Sequence, residues 1–133
     1  MLGQQIGEST GKRTGRRVIS VEPVMKVEVS FEDTGTLGGV QGMNIGTYVS
    51  QPKPDNSLHG FGRGAFMSME GDSLTWEGIG IGHFLEGGAV RYAGAISYTS
   101  TSPKLVHLNK FVGVFEFEVD AAGNTTSKTW EWK

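Results

Sequence analysis

Four side chains in the middle of the chain have types and a spacing that could support chemistry: Glu77, His83, Tyr92 and Tyr98. A carboxylate and an imidazole can exchange protons with a bound molecule, and phenol groups can orient it by hydrogen bonding. A two-residue turn at Gly87-Gly88 would place the carboxylate and the imidazole each opposite one tyrosine of the next antiparallel strand. The predicted pairs are Glu77 with Tyr98 and His83 with Tyr92. These four side chains then share one face of the sheet, and they are the predicted ligand-binding residues.

Two interpretations of this shared face remain open. Turned toward the inside of a closed sheet, the side chains line a cavity of mixed character, as ligand pockets do. Glu77 and His83 are then proton-transfer candidates, and the tyrosines are orienting groups. Turned outward, the same side chains form surface pairs of ordinary strength. The alternation of residue types does not decide between the two, because both faces of these strands hold apolar and ionisable residues.

Positively charged residues mark two places where an anion could bind. Arg63 and Arg91 could hold a carboxylate or a phosphate at a barrel mouth, the alternative being residence at the surface. The cluster of Lys12, Arg13, Arg16 and Arg17 is either a solvated strand or a phosphate-binding patch. The net charge of −2, from 12 basic and 14 acidic residues, is too balanced to favour nucleic acid or an anionic membrane as a partner.

Metal and cofactor sites find little support in the sequence. The chain has no cysteine and only three histidines, and the predicted register points His59 and His83 to opposite faces, which disfavours a shared metal. The glycine-rich segments 60–64 and 78–82 lack the Gly-x-Gly-x-x-Gly spacing and open no helix, so they do not predict a phosphate loop. We therefore expect no metal and no cofactor.

The elements that must position these residues are β-strands, because hydrophobicity alternates with a period of two along nearly the whole chain. Strands are predicted at residues 3–19, 24–32, 37–49, 58–69, 74–85, 90–99, 111–119 and 125–132. The single helical candidate is one short turn at Pro103–Asn109. The chain has 21 glycines among 133 residues, set among aromatic and β-branched side chains, a pattern typical of bent, closed sheets. The prediction is one all-β domain over residues 1–133, a closed or nearly closed antiparallel barrel of about eight strands.

Three hairpin turns set the predicted register of the strands. They are the two-residue turns Gly71-Asp72 and Gly87-Gly88 and the four-residue turn Asp120 to Gly123. The first of them repeatedly places a glycine of one strand opposite a large side chain of the next, as with Gly62 opposite Ile81. The last places the phenylalanine row of the seventh strand on the same face as Trp130 and Trp132, which predicts an aromatic core there.

The N-terminal segment has no apolar run of the kind that a secretory signal needs, and no stretch of about 18 apolar residues occurs in the chain. We therefore expect a cytoplasmic protein with no membrane partner.

Several stretches of the chain resemble one bacterial family. They are Gly3-Gln-Gln-Ile-Gly-Glu8, Thr14-Gly-Arg-Arg-Val18, Val27-Glu-Val-Ser-Phe-Glu32, and the ending from Val119-Asp120 to Trp130-Glu-Trp-Lys133. The chain resembles uncharacterised bacterial proteins with an allene-oxide-cyclase-like, or calycin-like, β-barrel. The resemblance implies an eight-stranded antiparallel barrel, and it implies no activity.

Three functions remain open at this point. The first is the binding of a small, mostly apolar molecule inside the barrel. The second is a cofactor-free cyclase or isomerase acting on a hydrophobic substrate held there. The third is an interaction role through a homo-oligomer, for which the small residues Ala65, Gly78, Gly80, Ala93 and Ala95 offer a packing face.

Overall fold

A computed structural model describes all 133 residues and shows a closed barrel of eight antiparallel strands in chain order. Each strand pairs with its neighbours in sequence, and the last pairs with the first. The strands are β1 (Leu2–Ser20), β2 (Lys26–Leu37), β3 (Val40–Pro52), β4 (Leu58–Met67), β5 (Ser73–Phe84), β6 (Val90–Thr99), β7 (Gly113–Val119) and β8 (Asn124–Trp132). Two single 3₁₀ turns, Glu86–Gly88 and Val106–Lys110, are the only helical pieces. The predicted fold class is confirmed.

Glycines allow the long strands to bend enough to close the barrel. At Gly11 a Cβ atom would lie 2.0 Å from the carbonyl oxygen of Glu32, and at Gly94 it would lie 2.0 Å from that of Ile79. No larger residue fits where neighbouring backbones come this close. These positions therefore let adjacent strands approach and coil around a narrow interior.

All three predicted hairpin registers are wrong, for one shared reason. Each hairpin is closed by a three-residue loop rather than by a loop of two or four residues. The closing backbone hydrogen bonds run from Ser68 to Asp72 (2.9 Å), from Leu85 to Ala89 (2.8 Å) and from Asp120 to Asn124 (2.9 Å). The last loop residue is a glycine with positive φ in each case: Gly71 (92°), Gly88 (86°) and Gly123 (88°). A left-handed residue at this position is what a three-residue hairpin loop requires.

The change of register turns β5 over relative to its prediction, because a shift by an odd number of residues exchanges the two faces of a strand. Glycines now meet glycines on the inner face, with Gly62 opposite Gly78. Phe61 lies opposite Ile79 on the outer face. The predicted pairing of Gly62 with Ile81 is therefore wrong, and the inner wall of β4 and β5 carries few side chains.

The last hairpin is corrected in the same way. Phe115 lies opposite Thr129 and faces the interior, whereas Trp130 lies opposite Val114 on the outer face. The predicted aromatic face shared by the phenylalanines and Trp130 is wrong. The interior at β8 is lined by hydroxyl side chains instead.

Two apolar clusters occupy the two ends of the barrel. Leu105 and Leu108, in the connection from β6 to β7, are fully buried and plug one end against Phe66 and Tyr98. This connection holds the 3₁₀ turn that overlaps the predicted helical turn. Toward the opposite end, a second cluster of aromatic and aliphatic side chains packs together inside the barrel; it comprises Phe31, Leu58, Tyr92, Phe117 and Val119. Neither of the two 3₁₀ turns has the length or the apolar character that a membrane-spanning helix needs.

Candidate functional site

A cavity of about 130 Å³ lies inside the barrel between the two clusters. Glycines of β4 and β5 form one wall, and eight aromatic side chains line other parts of the cavity. The lining includes Gly60, Gly62, Gly78, Gly80, Phe31, Tyr48, Trp76 and Phe115. A glycine leaves empty the volume that a side chain would fill, so the paired inner glycines are the direct cause of this space.

Asp33 places one carboxyl group in this apolar cavity. It follows Phe31 on the inner face of β2, and its side chain is only 5% exposed. Burial raises its pKa from 3.8 to about 6, and hydrogen bonds from Ser9 and Asn44 partly oppose that rise. A carboxyl group with this pKa exchanges its proton close to neutral pH.

Two hydrogen-bonded pairs of side chains, Trp76 with Asn44 and Ser9 with Ser127, lie beside Asp33. In the first, the indole Nε1 of Trp76 donates to Oδ1 of Asn44 at 2.7 Å, so the amide nitrogen of Asn44 is free to donate to the carboxylate. In the second, the hydroxyl oxygens of Ser9 and Ser127 lie 2.7 Å apart. When Ser9 donates to Asp33, Ser127 must donate to Ser9. Neighbouring residues thus supply the carboxylate with donors from both sides.

This arrangement can hold or move one proton at the Asp33 carboxylate, and it can accept a hydrogen bond from a molecule in the cavity. A buried acid whose pKa lies near the working pH is suited to general acid or base chemistry. The rest of the lining combines apolar side chains with hydroxyl groups and the exposed carboxylate of Glu8. The site therefore combines a largely apolar volume with one buried carboxyl group.

Two of the four sequence-predicted site residues face the interior. Tyr92 and Tyr98 are buried on the inner face of β6 and line the cavity. The hydroxyl of Tyr92 donates to Oγ of Ser50 at 2.9 Å. Burial raises the pKa of both phenols above the ordinary value, so both are neutral donors at neutral pH.

The other two predicted residues lie outside. Glu77 and His83 are exposed on the outer face of β5, where they pair with Ser97 and Arg91. The predicted pairs of Glu77 with Tyr98 and of His83 with Tyr92 are wrong, because the three-residue loop turns β5 over. The structure therefore does not bring the carboxylate and the imidazole to the tyrosines.

Arg63 and Arg91, the predicted pair of anion-binding residues, also lie on the outer surface. Arg63 is exposed on β4, and Arg91 forms an ion pair with Glu116 at 2.8 Å. No three histidine, aspartate or glutamate side chains come close enough together to hold a metal ion.

Sequence reasoning missed Asp33, Asn44 and Ser9 as site residues. The sequence does contain a signal for Asp33. Val29, Phe31 and Asp33 are alternate residues of one strand, so they face the same side of the sheet. The predicted second strand ended at Glu32, whereas β2 continues to Leu37. The predicted strand therefore ended one residue before Asp33, and the buried carboxylate was not assigned to its inner face.

Comparison with solved structures shows a similar barrel in three bacterial proteins. A protein with unknown function from Clostridium acetobutylicum ATCC 824 superposes with a TM-score of 0.82 at 13% identity, covering 98% of each chain. A conserved protein of unknown function from Rhodopseudomonas palustris gives 0.82 at 11% identity, covering 98% of this chain and 97% of that one. A β-barrel-like protein from Acinetobacter baumannii AYE gives 0.84 at 10% identity, covering 100% and 96%.

No protein-family model matches the chain, and no curated protein matches it in sequence. The resemblance to the allene-oxide-cyclase-like family therefore stays a prediction. At these identities the comparison shows the fold alone: the chain is similar to bacterial β-barrel proteins of unknown function along almost its entire length.

Proposed function

We propose that the barrel binds a small, mostly apolar molecule in its central cavity. The observation that carries this proposal is a largely apolar space with one buried carboxyl group, Asp33. Ligand sites commonly combine an apolar lining with a few placed polar groups. The lining aromatics supply contact area, and Asp33 supplies one strong hydrogen-bond acceptor.

The size of the cavity narrows the class of ligand. A cavity of about 150 Å³ lined by apolar side chains binds benzene in another protein, and the cavity here is about 130 Å³. It therefore suits a molecule with one six-membered ring. A ring that carries a hydroxyl or amino donor satisfies Asp33, so phenol should bind more tightly than benzene.

Titration with benzene and phenol tests the proposal, with unfolding free energy or calorimetry as the readout. A ligand at ten times its dissociation constant stabilises the native state by about 1.4 kcal/mol. Gly78→Val should abolish this effect by filling the cavity. A Cβ atom at Gly78 lies 3.3 Å from the nearest atom, the carbonyl oxygen of Ala95, so the variant requires only a small adjustment.

Ala93→Val is the matched control, because it adds bulk on the exposed outer face of β6. It should leave the affinity for both ligands unchanged. Stabilisation that survives in Gly78→Val, or the absence of stabilisation by either ligand in the wild-type protein, would contradict cavity binding.

A homo-oligomer is a second candidate, and the outer face of β4 and β5 favours it. Phe61 and Ile79 lie opposite each other there and are 47% and 51% exposed. Large apolar side chains that are exposed together are typical of interaction surfaces. Sedimentation should show an oligomer that Phe61→Glu dissociates and that Thr126→Glu, on the exposed outer face of β8, leaves intact. A wild-type monomer at micromolar concentration would refute it.

A further inference from the structure

A β-bulge in β1 turns two arginines toward the inside of the barrel. The register shifts between Arg13 and Gly15, so Arg13 pairs with Phe31 and Arg16 pairs with Val29. Both partners are buried residues of β2. Residues three apart on a regular strand point to opposite faces, and the extra residue of the bulge brings these two to the same face.

Their neighbours of like charge point the other way. Lys12 pairs with Glu32 and Arg17 with Glu28 on the outer face, where Arg17 and Glu28 form an ion pair at 3.2 Å. The basic cluster of the sequence is therefore two separate pairs. One pair is solvated on the outside, and the other faces the barrel opening.

The inward pair stands at the rim of a vestibule of about 200 Å³, at the end of the barrel opposite the leucine plug. Its walls are mostly apolar and include Val29, Leu58, Val90 and Val119. Tyr48 and Tyr92 line both the vestibule and the inner cavity, with ring centroids 5.4 Å apart. These two rings stand where the vestibule and the inner cavity meet.

The two arginines form no ion pair at this opening. The vestibule contains one carboxylate, Asp120, whose oxygens accept hydrogen bonds from the backbone of Ala122 and Asn124 in its own turn. Burial raises the pKa of the Tyr48 phenol, and the charges of Arg13 and Arg16 oppose that rise, consistent with their facing the same opening.

We propose that the vestibule binds an organic carboxylate, with the anionic group between Arg13 and Arg16 and the apolar part over the valine and leucine walls. Guanidinium groups match a carboxylate in charge and in hydrogen-bond geometry. By comparison with benzene in about 150 Å³, the vestibule holds about eight carbon atoms. Octanoate is therefore a suitable probe.

Isothermal titration of octanoate at low ionic strength tests this site, with neutral octanamide as the comparison ligand. Arg13→Gln/Arg16→Gln should weaken octanoate binding about tenfold or more, because it removes charged hydrogen bonds to the ligand. The matched variant Lys12→Gln/Arg17→Gln loses the same charge from the outer face and should change the affinity less than about twofold. Octanamide binding should be equal in all three proteins.

Two results would overturn the proposal: a wild-type protein that does not bind octanoate, or equal losses in the two double variants, which would indicate general charge attraction. The Gly78→Val variant separates this site from the inner cavity. It should bind octanoate normally while losing benzene, so failure of one proposal leaves the other intact.

Discussion

Replacement of Asp33 by asparagine should stabilise the protein, and the gain should depend on pH. The buried carboxyl has a pKa of about 6 in the folded protein against 3.8 as its ordinary value. Between these two pH values the folded state keeps a proton that the unfolded state has lost. The free energy of unfolding of the wild-type protein therefore falls as the pH rises from about 4 to about 6, and the penalty is complete above that range.

The size of the penalty follows from the same two values. The difference between 3.8 and about 6 corresponds to about 3 kcal/mol at pH 8. Asparagine has nearly the same shape, carries no charge, and can still accept hydrogen bonds from Ser9 and Asn44. Asp33→Asn should therefore exceed the wild type in stability by up to about 3 kcal/mol at pH 8 and by nearly nothing at pH 4.

Urea unfolding of both proteins at pH 4, 5, 6 and 8 measures this difference directly, and subtraction cancels the titration of all other groups. Glu32→Gln removes the neighbouring exposed carboxylate on the outer face and should stay within about 0.5 kcal/mol of the wild type. A stability difference for Asp33→Asn that is the same at pH 4 and pH 8 would refute the assignment of Asp33 as a buried acid with a raised pKa.

Three further changes test the interior and the closure of the barrel. Thr125 is buried and its hydroxyl has no hydrogen-bond partner, so Thr125→Val should raise the free energy of unfolding by about 1 kcal/mol, whereas Thr126→Val at the exposed neighbour should not. Leu108→Ala should lower it by about 2–5 kcal/mol because it empties a fully buried position of the plug; a loss under about 1 kcal/mol would show that the plug is dispensable. Gly11→Ala should prevent stable folding, since its Cβ would collide with the backbone of β2, while Gly15→Ala, with nothing within 4 Å, should fold normally by circular dichroism.

The number and order of the strands could be predicted because alternation is a local property of the sequence. β6 is predicted at its observed bounds, and β4 and β5 are within about two residues of them. Phe66 of β4 and Tyr92 of β6 both face the interior, and the prediction also places these two residues on the same face of the sheet. These features depend on residue types within one strand.

Residue types within one strand do not determine which residues of β5 face the interior. Met69-Glu70-Gly71-Asp72 is compatible with a two-residue loop at Gly71-Asp72 and with a three-residue loop ending at Gly71. The two differ in register by an odd number of residues, which decides whether Trp76 or Glu77 lies inside. The error in register therefore placed Glu77 and His83 in the predicted site and left out Trp76, whose indole donates to Asn44 beside Asp33.

The inner wall of β4 and β5, which carries few side chains, also affects how such a barrel could evolve. A single base change in a glycine codon gives alanine or valine, and at Gly78 either residue would take up room inside the barrel while the strand keeps its place. Each such substitution reduces the volume of the interior by the size of one to three carbon atoms, and it requires no change in any loop. Barrels that differ at such positions could accept molecules of different size while their backbones stayed superimposable, as the backbones of this chain and a barrel of 10% identity are.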